Sequence, residues 1–123
     1  MAIPSASGSE VMRRGGIITQ STDVTTLRFD GTNPTTGTES YAVPANHIII
    51  IVSIIVCETA GNAETFKMWG DTNITLIESQ AIGAKETFIW NDKFVAIGGD
   101  KIYVLCSSGD VDIWYTYIDQ NWS

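Results

Sequence analysis

The amino-acid sequence predicts an all-β fold: a single antiparallel β-sandwich, jelly-roll-like, with an extended N-terminal arm. Three observations carry that expectation. Seventeen Ile and eight Val stand against three Leu, a balance that suits the pleated surface of a sheet, because branched side chains lose rotamer freedom on a helix. From Ile17 onward, short apolar segments alternate with turn chemistry at near-regular intervals, the pattern of a sandwich or barrel. No helical period is sustained beyond about one turn, and nothing repeats at the spacing of about 20 to 50 residues that marks solenoids and propellers.

With 123 residues, the chain has the size of one domain, and two folding units would each be short of core. Residues 1–16 contain Pro4, Gly8, Gly15 and Gly16, show no period and are dominated at the start by Ser and Ala. They are expected to form the extended arm, with the sandwich domain at 17–123. Strands are expected at 16–20, 24–29, 40–43, 48–57, 65–69, 75–80, 86–90, 93–96, 101–106 and 111–118. Between them lie breakers such as PAN at 44–46, ETAGN at 58–62, IGAK at 82–85 and GGD at 98–100; Gly, Asn and Asp tolerate the positive φ of tight turns, and Pro sets φ at a corner. In the last strand, alternation puts Val111, Ile113, Tyr115 and Tyr117 on the core side and Asp112, Trp114 and Thr116 on the other. Phe66 and Met68 should point in and Lys67 out. The run 48–56 does not alternate, so both of its faces are expected to be shielded, inside the sandwich or against a neighbouring subunit.

Composition excludes several classes. Hydrophobic residues make up 44% and charged residues 17%, which rules out a wholly disordered chain. Fourteen acids against seven bases leave a net charge of −7, which opposes a phosphate backbone, so nucleic acid is not an expected partner. The longest apolar run, 48–57, is broken by Ser53 and is about half the length of a membrane-spanning helix; no membrane partner is expected. Cys57 and Cys106 sit in apolar runs without CxxC spacing, as buried free thiols, with a cross-strand disulfide as the alternative. Residues 1–16 lack the apolar centre of a secretory signal, so synthesis and retention in a cytoplasm are expected.

Catalytic arrangements are sparse. His47, the sole histidine, has no local Ser or Cys companion and reads as a turn or surface residue. A zinc site would need it to meet both cysteines. Asp110 and Asp112 are two apart, as a solvated acidic edge or a weak hard-cation site, and the calcium-loop pattern is missing. Neither GxGxxG nor GxxxxGK[ST] occurs. No catalytic residue, cofactor or metal site is therefore expected. The aromatics say more: alternation assigns Trp90, Trp114 and Trp122, with Tyr103, to an outer face or the chain end. Such side chains are rim or core packing, a protein contact, or a sugar-stacking platform. Arg13 and Arg14, the sole adjacent basic pair, would anchor the arm on an acidic partner or form a solvated hinge.

Tyr41-Ala42-Val43-Pro44-Ala45-Asn46 leads into a long Ile/Val strand ending in Val56-Cys57, followed by Ala63-Glu64-Thr65-Phe66, Lys85-Glu86-Thr87-Phe88 and Gly98-Gly99-Asp100-Lys101-Ile102-Tyr103-Val104. That order, over residues 40–118, resembles a group of small tailed-bacteriophage virion structural proteins with a β-sandwich fold, the capsid decoration or cement proteins. Glu58 stands where the group often has Asn after the cysteine, a turn-level departure. The resemblance implies a head decoration protein, a homotrimer bound to the major capsid protein on the virion surface, made in the host cytoplasm. The partner-binding residues expected on that reading are Ile3, Val11, Arg13, Arg14, Trp90, Trp114 and Trp122. The alternative is a tail or fibre β-sandwich module that binds host-surface carbohydrate through Trp114 and Trp122. An enzyme is not expected.

Overall fold

The computed structural model describes residues 9–20, 22–31 and 40–122. It forms two antiparallel sheets from nine strands: β1 (Ser9–Gln20), β2 (Thr25–Thr26), β3 (His47–Glu58), β4 (Glu64–Trp69), β5 (Thr75–Ile82), β6 (Thr87–Trp90), β7 (Phe94–Ile97), β8 (Tyr103–Cys106) and β9 (Val111–Asn121). One turn of 3-10 helix, Asp71–Asn73, separates β4 from β5. The first sheet has the order β1-β9-β3-β6, with β7 also paired to β3, and the second β2-β8-β4-β5.

Counting β6 and β7 as one interrupted strand makes the topology that of a hairpin wound on itself. The β4–β5 hairpin is its tip; β3 pairs with β6 and β7, β2 with β8, and β1 with β9. The winding contacts are β3 with β9 and β4 with β8. This nesting across two sheets is the jelly roll, in agreement with the all-β sandwich that the sequence predicts. The expected strand at 40–43 is absent: that segment is irregular, although the Val43 N–H donates to the Asp100 carbonyl at 2.9 Å.

The expected boundary after residue 16 needs correction. Ser9–Gln20 is one strand in register with β9, from Ser9 opposite Asn121 to Ile17 opposite Ile113. Residues 9–16 are extended but paired, so the division expected at 16/17 falls inside a strand. Gly15, inside this paired strand, serves packing. A Cβ on Gly15 would sit 2.4 Å from the Tyr115 ring, so only glycine lets that ring lie against β1. The Tyr115 hydroxyl accepts from the Arg28 N–H at 2.8 Å and donates to the Arg28 carbonyl at 2.6 Å. The Tyr117 hydroxyl accepts from the Gly31 N–H at 2.9 Å. Phe29 packs edge-on against Tyr41, Tyr115 and Tyr117, which favours the ring quadrupoles and closes that end of the sandwich.

The run 48–56 alternates after all, with its phase flipped by a bulge between Ile51 and Ser53. Ile49, Ile51, Ile54 and Val56 are buried, and the intervening residues face outward, half-buried or exposed. The chain itself therefore shields only one of the two faces. The faces expected for β4 and β9 are observed: Phe66, Met68, Val111, Ile113, Tyr115 and Tyr117 are buried. The PAN turn places Asn46 at φ 65°, with the His47 N–H bonded to the Pro44 carbonyl.

Two acids are buried at the end of the sandwich where β3 stops and β4 starts. The Glu58 carboxylate accepts hydrogen bonds from the N–H groups of Ala60, Gly61, Asn62 and Lys85 at 2.8–3.3 Å. Led by the Lys85 N–H, these bonds hold its pKa down at about 2. Both carboxyl oxygens of Glu64 are buried without a hydrogen-bond partner. Desolvation raises its pKa; the backbone at Ser108 and Gly109 pulls the other way, and the charges of Glu58 and Asp110 add to the rise. Desolvation also pushes the neighbouring Cys106 thiol up to about 12.

The two acids give opposite pH dependences. Glu58, with its folded pKa depressed below 4.5, contributes stability that is present above the unfolded value and lost as pH falls toward about 2; Glu64, with its pKa raised, favours the fold at acid pH and does so less as pH rises. Glu64→Gln is expected to raise the unfolding midpoint at about pH 8 and to match the wild type near pH 4, whereas Glu58→Gln lowers it most at the higher pH; thermal melts followed by circular dichroism check both. Gly15→Ala is expected to cost about 1–3 kcal/mol by overpacking against Tyr115, read from urea unfolding.

Candidate functional site

The surface feature built by the most elements is the outer face of the first sheet. Residues opposite each other in the ladder share a face, and the registers place Trp114 beside Ile55 and Ile55 beside Ile89. Trp114 is 43% exposed and Ile89 54%. The Arg14 guanidinium lies 4.7 Å over the Trp114 ring, a cation–π contact that holds the indole against the sheet. Next to it, Ile18, Ile55, Cys57, Asp112 and Trp114 line a shallow depression of about 340 Å³.

The structure separates the residues that the sequence grouped. Arg14 and Trp114 come together on this face. Val11 and Arg13 are exposed on β1 and register opposite Asp119 and Tyr117, on the other side of that strand. Trp122 is half-buried at the far end of the sandwich, in a depression of about 620 Å³ that it shares with Val43, Asn46 and Ile97. Trp90 is a correction. It registers opposite the buried Ile54 and packs against the core, with its indole N–H donating to the Asp92 carbonyl; β6 starts one residue later than expected and its inward positions are Phe88 and Trp90. Ile3 lies outside the described residues.

Sequence reasoning passed over Trp69. Its ring stacks on Tyr103 with centroids 5.4 Å apart, and the Lys67 ammonium lies 5.3 Å from the Trp69 ring. The signal was available, because Trp69 shares a strand face with Lys67, the residue assigned outward. This outer face of the second sheet also carries charge, with Lys67 facing Glu78 at 3.9 Å.

The titratable side chains serve structure. His47 Nδ1 lies 2.7 Å from Asp119 Oδ1, a pair that joins the start of β3 to β9. Neither residue lines the two depressions described above. Asp110 is in a turn at φ 62°, with its carbonyl accepting from the Thr59 N–H and hydroxyl, while Asp112 lies on β9; the expected acidic edge is thus split between turn and strand. Both cysteines are free thiols, so the cross-strand disulfide does not form. Among the described residues, no cluster of three or more His, Cys, Asp or Glu is placed to hold a metal ion, and no helix is long and apolar enough to cross a membrane.

No protein-family model matches the chain, and no curated protein matches it in sequence. Among solved structures, the chain overlays along its full length on 97% of a chain from Bacillus endospore appendages, described as a family of disulfide-linked pili, with a TM-score of 0.53 and 12% identity. It also overlays on a chain from the capsid of Helicobacter pylori bacteriophage KHP30, covering 94% of each, with a TM-score of 0.49 and 10% identity. A third overlay, on infectious bursal disease virus, spans 32% of that chain with a TM-score of 0.42 and 12% identity. At these identities the pilus overlay shows a shared fold alone, and the two viral overlays are too loose to add to it.

Because Trp90 fills space against the core, Trp90→Ala is expected to lower stability by about 2–3 kcal/mol, measured by urea unfolding. An unchanged midpoint would return this residue to the surface set.

Proposed function

We propose that this protein is a non-enzymatic structural subunit: a bacteriophage head decoration protein that binds the assembled capsid shell through the major capsid protein, as a homotrimer on the virion surface. The observation that carries the reading is β1. It is a long strand at the edge of the first sheet, and it bears exposed Val11, Arg13 and Arg14 in a chain of net charge −7. An edge strand offers unpaired backbone groups for strand addition, and the arginines favour an acidic partner surface. Support also comes from the order of motifs over residues 40–118 that resembles phage decoration proteins, and from the jelly roll itself.

Ile3, in the residues preceding β1, would extend that contact, with Trp114 and Trp122 as flanking apolar contacts. The mechanism is linkage: a subunit that binds the assembled shell and not its free components stabilises the shell by mass action.

The test is co-sedimentation with purified heads lacking this protein. Wild type is expected to bind at saturable stoichiometry and to raise the temperature at which the heads rupture. Arg13→Glu is expected to weaken binding by about tenfold or more, the loss typical of a central charged contact. Failure of the wild type to bind heads would overturn the reading, and glycan binding lost in Trp114→Ala would replace it with the carbohydrate-binding one.

A further inference from the structure

The two outer faces of this sandwich differ in a way that one chain does not explain. The outer face of the second sheet is mixed and charged, as a solvated face should be. That of the first sheet carries two apolar rows, with the polar row of Arg14, Thr116 and Ser53 between them. Of the ten large hydrophobic side chains exposed among the described residues, seven lie on it, including Met12, Ile89 and Val95. They form rows across the ladder. Beyond the row of Trp114, Ile55 and Ile89, a second runs from Met12 through Ile118 and Ile50 to Val95. Exposed apolar surface on this scale marks an interface.

We infer that this face is covered by another copy of the same chain. The first reason is charge. The face carries Glu10, Arg14 and Asp112, so one net negative charge of the seven on the whole chain lies there. The acidity that would drive copies apart is elsewhere, and Arg14 gives each copy a cation to set against the other's acids. The second reason is area. Four strand positions about 4.8 Å apart and about eleven residues long make a face of about 700 Å², close to the roughly 800 Å² per partner that a stable interface buries. The third is shape. Rows of branched side chains on a twisted sheet can interdigitate with those of a second sheet packed about 10 Å away, and the depression at Ile18, Ile55 and Trp114 is open to a side chain from the other copy. The inference needs no capsid; it places Arg14 and Trp114 between copies and leaves Val11, Arg13 and the open edge of β1 for the shell.

The experiment is solution mass by light scattering and sedimentation velocity on the full chain. A discrete oligomer is expected, dimer or trimer. Ile89→Asp and Val95→Asp sit on outward positions of short strands and leave the core intact; each is expected to weaken association by about tenfold or more. Ile74→Asp, equally exposed but in the turn before β5, is expected to leave the mass unchanged. Cys57, on this face, supplies an independent readout, since Cys106 is buried. Its reaction with a thiol reagent is expected to be slow in the wild-type oligomer and fast in Ile89→Asp, with circular dichroism showing both proteins folded. A wild type of 13.4 kDa at high micromolar concentration overturns the inference, as does a polydisperse aggregate, or an oligomer that survives both Asp substitutions. Loss of shell binding in Arg13→Glu with the mass unchanged separates this interface from the proposed shell contact.

Discussion

Strand β9 is the constraint around which the fold is organised. It is hydrogen-bonded to β1 on one side and β3 on the other, so the first sheet cannot close until its first and last strands meet, with Ser9 opposite Asn121. The pairings are nested: the β4–β5 hairpin is local, and each further pair encloses the one before it. Loop-closure entropy rises only slowly with length, but these non-local contacts form only after that entropy has been lost, which is the condition for slow, cooperative folding. Tyr115 and Tyr117 carry the consequence into the interior. Both lie on the inward face of β9, and their hydroxyls satisfy backbone groups at residues 28 and 31, fixing the segment that leaves β2, in the second sheet, to the first. Gly15 and the Tyr115 ring are two halves of that arrangement.

The buried acids show how burial is managed in so small a core. Glu58 keeps its charge because backbone N–H groups from both the 60–62 loop and the 83–86 turn converge on it, replacing the water it has lost. In return it fixes a turn in which Lys85 adopts φ 61°, a conformation disfavoured for a residue with a side chain. Glu64, close by, makes no hydrogen bond of that quality, and desolvation raises its pKa against the weaker pull of the backbone at Ser108 and Gly109. One end of the sandwich thus contains a carboxylate that stabilises the fold at neutral pH and a carboxyl that opposes it.

The same economy bears on function. His47, Glu58, Tyr115 and Tyr117 are occupied by hydrogen bonds that join strands and loops. What the surface presents is apolar and aromatic: the broad outer face of the first sheet, a cationic edge strand, and the Trp69–Tyr103 stack. A surface of that kind recognises other protein through area and shape. Val11 and Arg13 lie on the other side of β1 from the proposed contact between copies, whereas Arg14 and Trp114 lie on that contact face.

The all-β class, the turn positions and the inward faces of β4 and β9 were legible in the sequence, because the two-residue period and the chemistry of positive φ are local properties that each short segment carries by itself. Other features depended on residues far apart in the chain. The bulge that flips β3 at Ile51 and Ser53 is decided by its pairing with β9; unpaired, the run reads only as uninterrupted apolar. The pairing of residues 9–16, the inward turn of Trp90 and the burial of Glu58 each depend on a partner between 27 and more than 100 positions away. Local pattern fixes which residues prefer a sheet and which way they alternate; only the closed roll decides which strand lies beside which, and therefore which apolar face is left over.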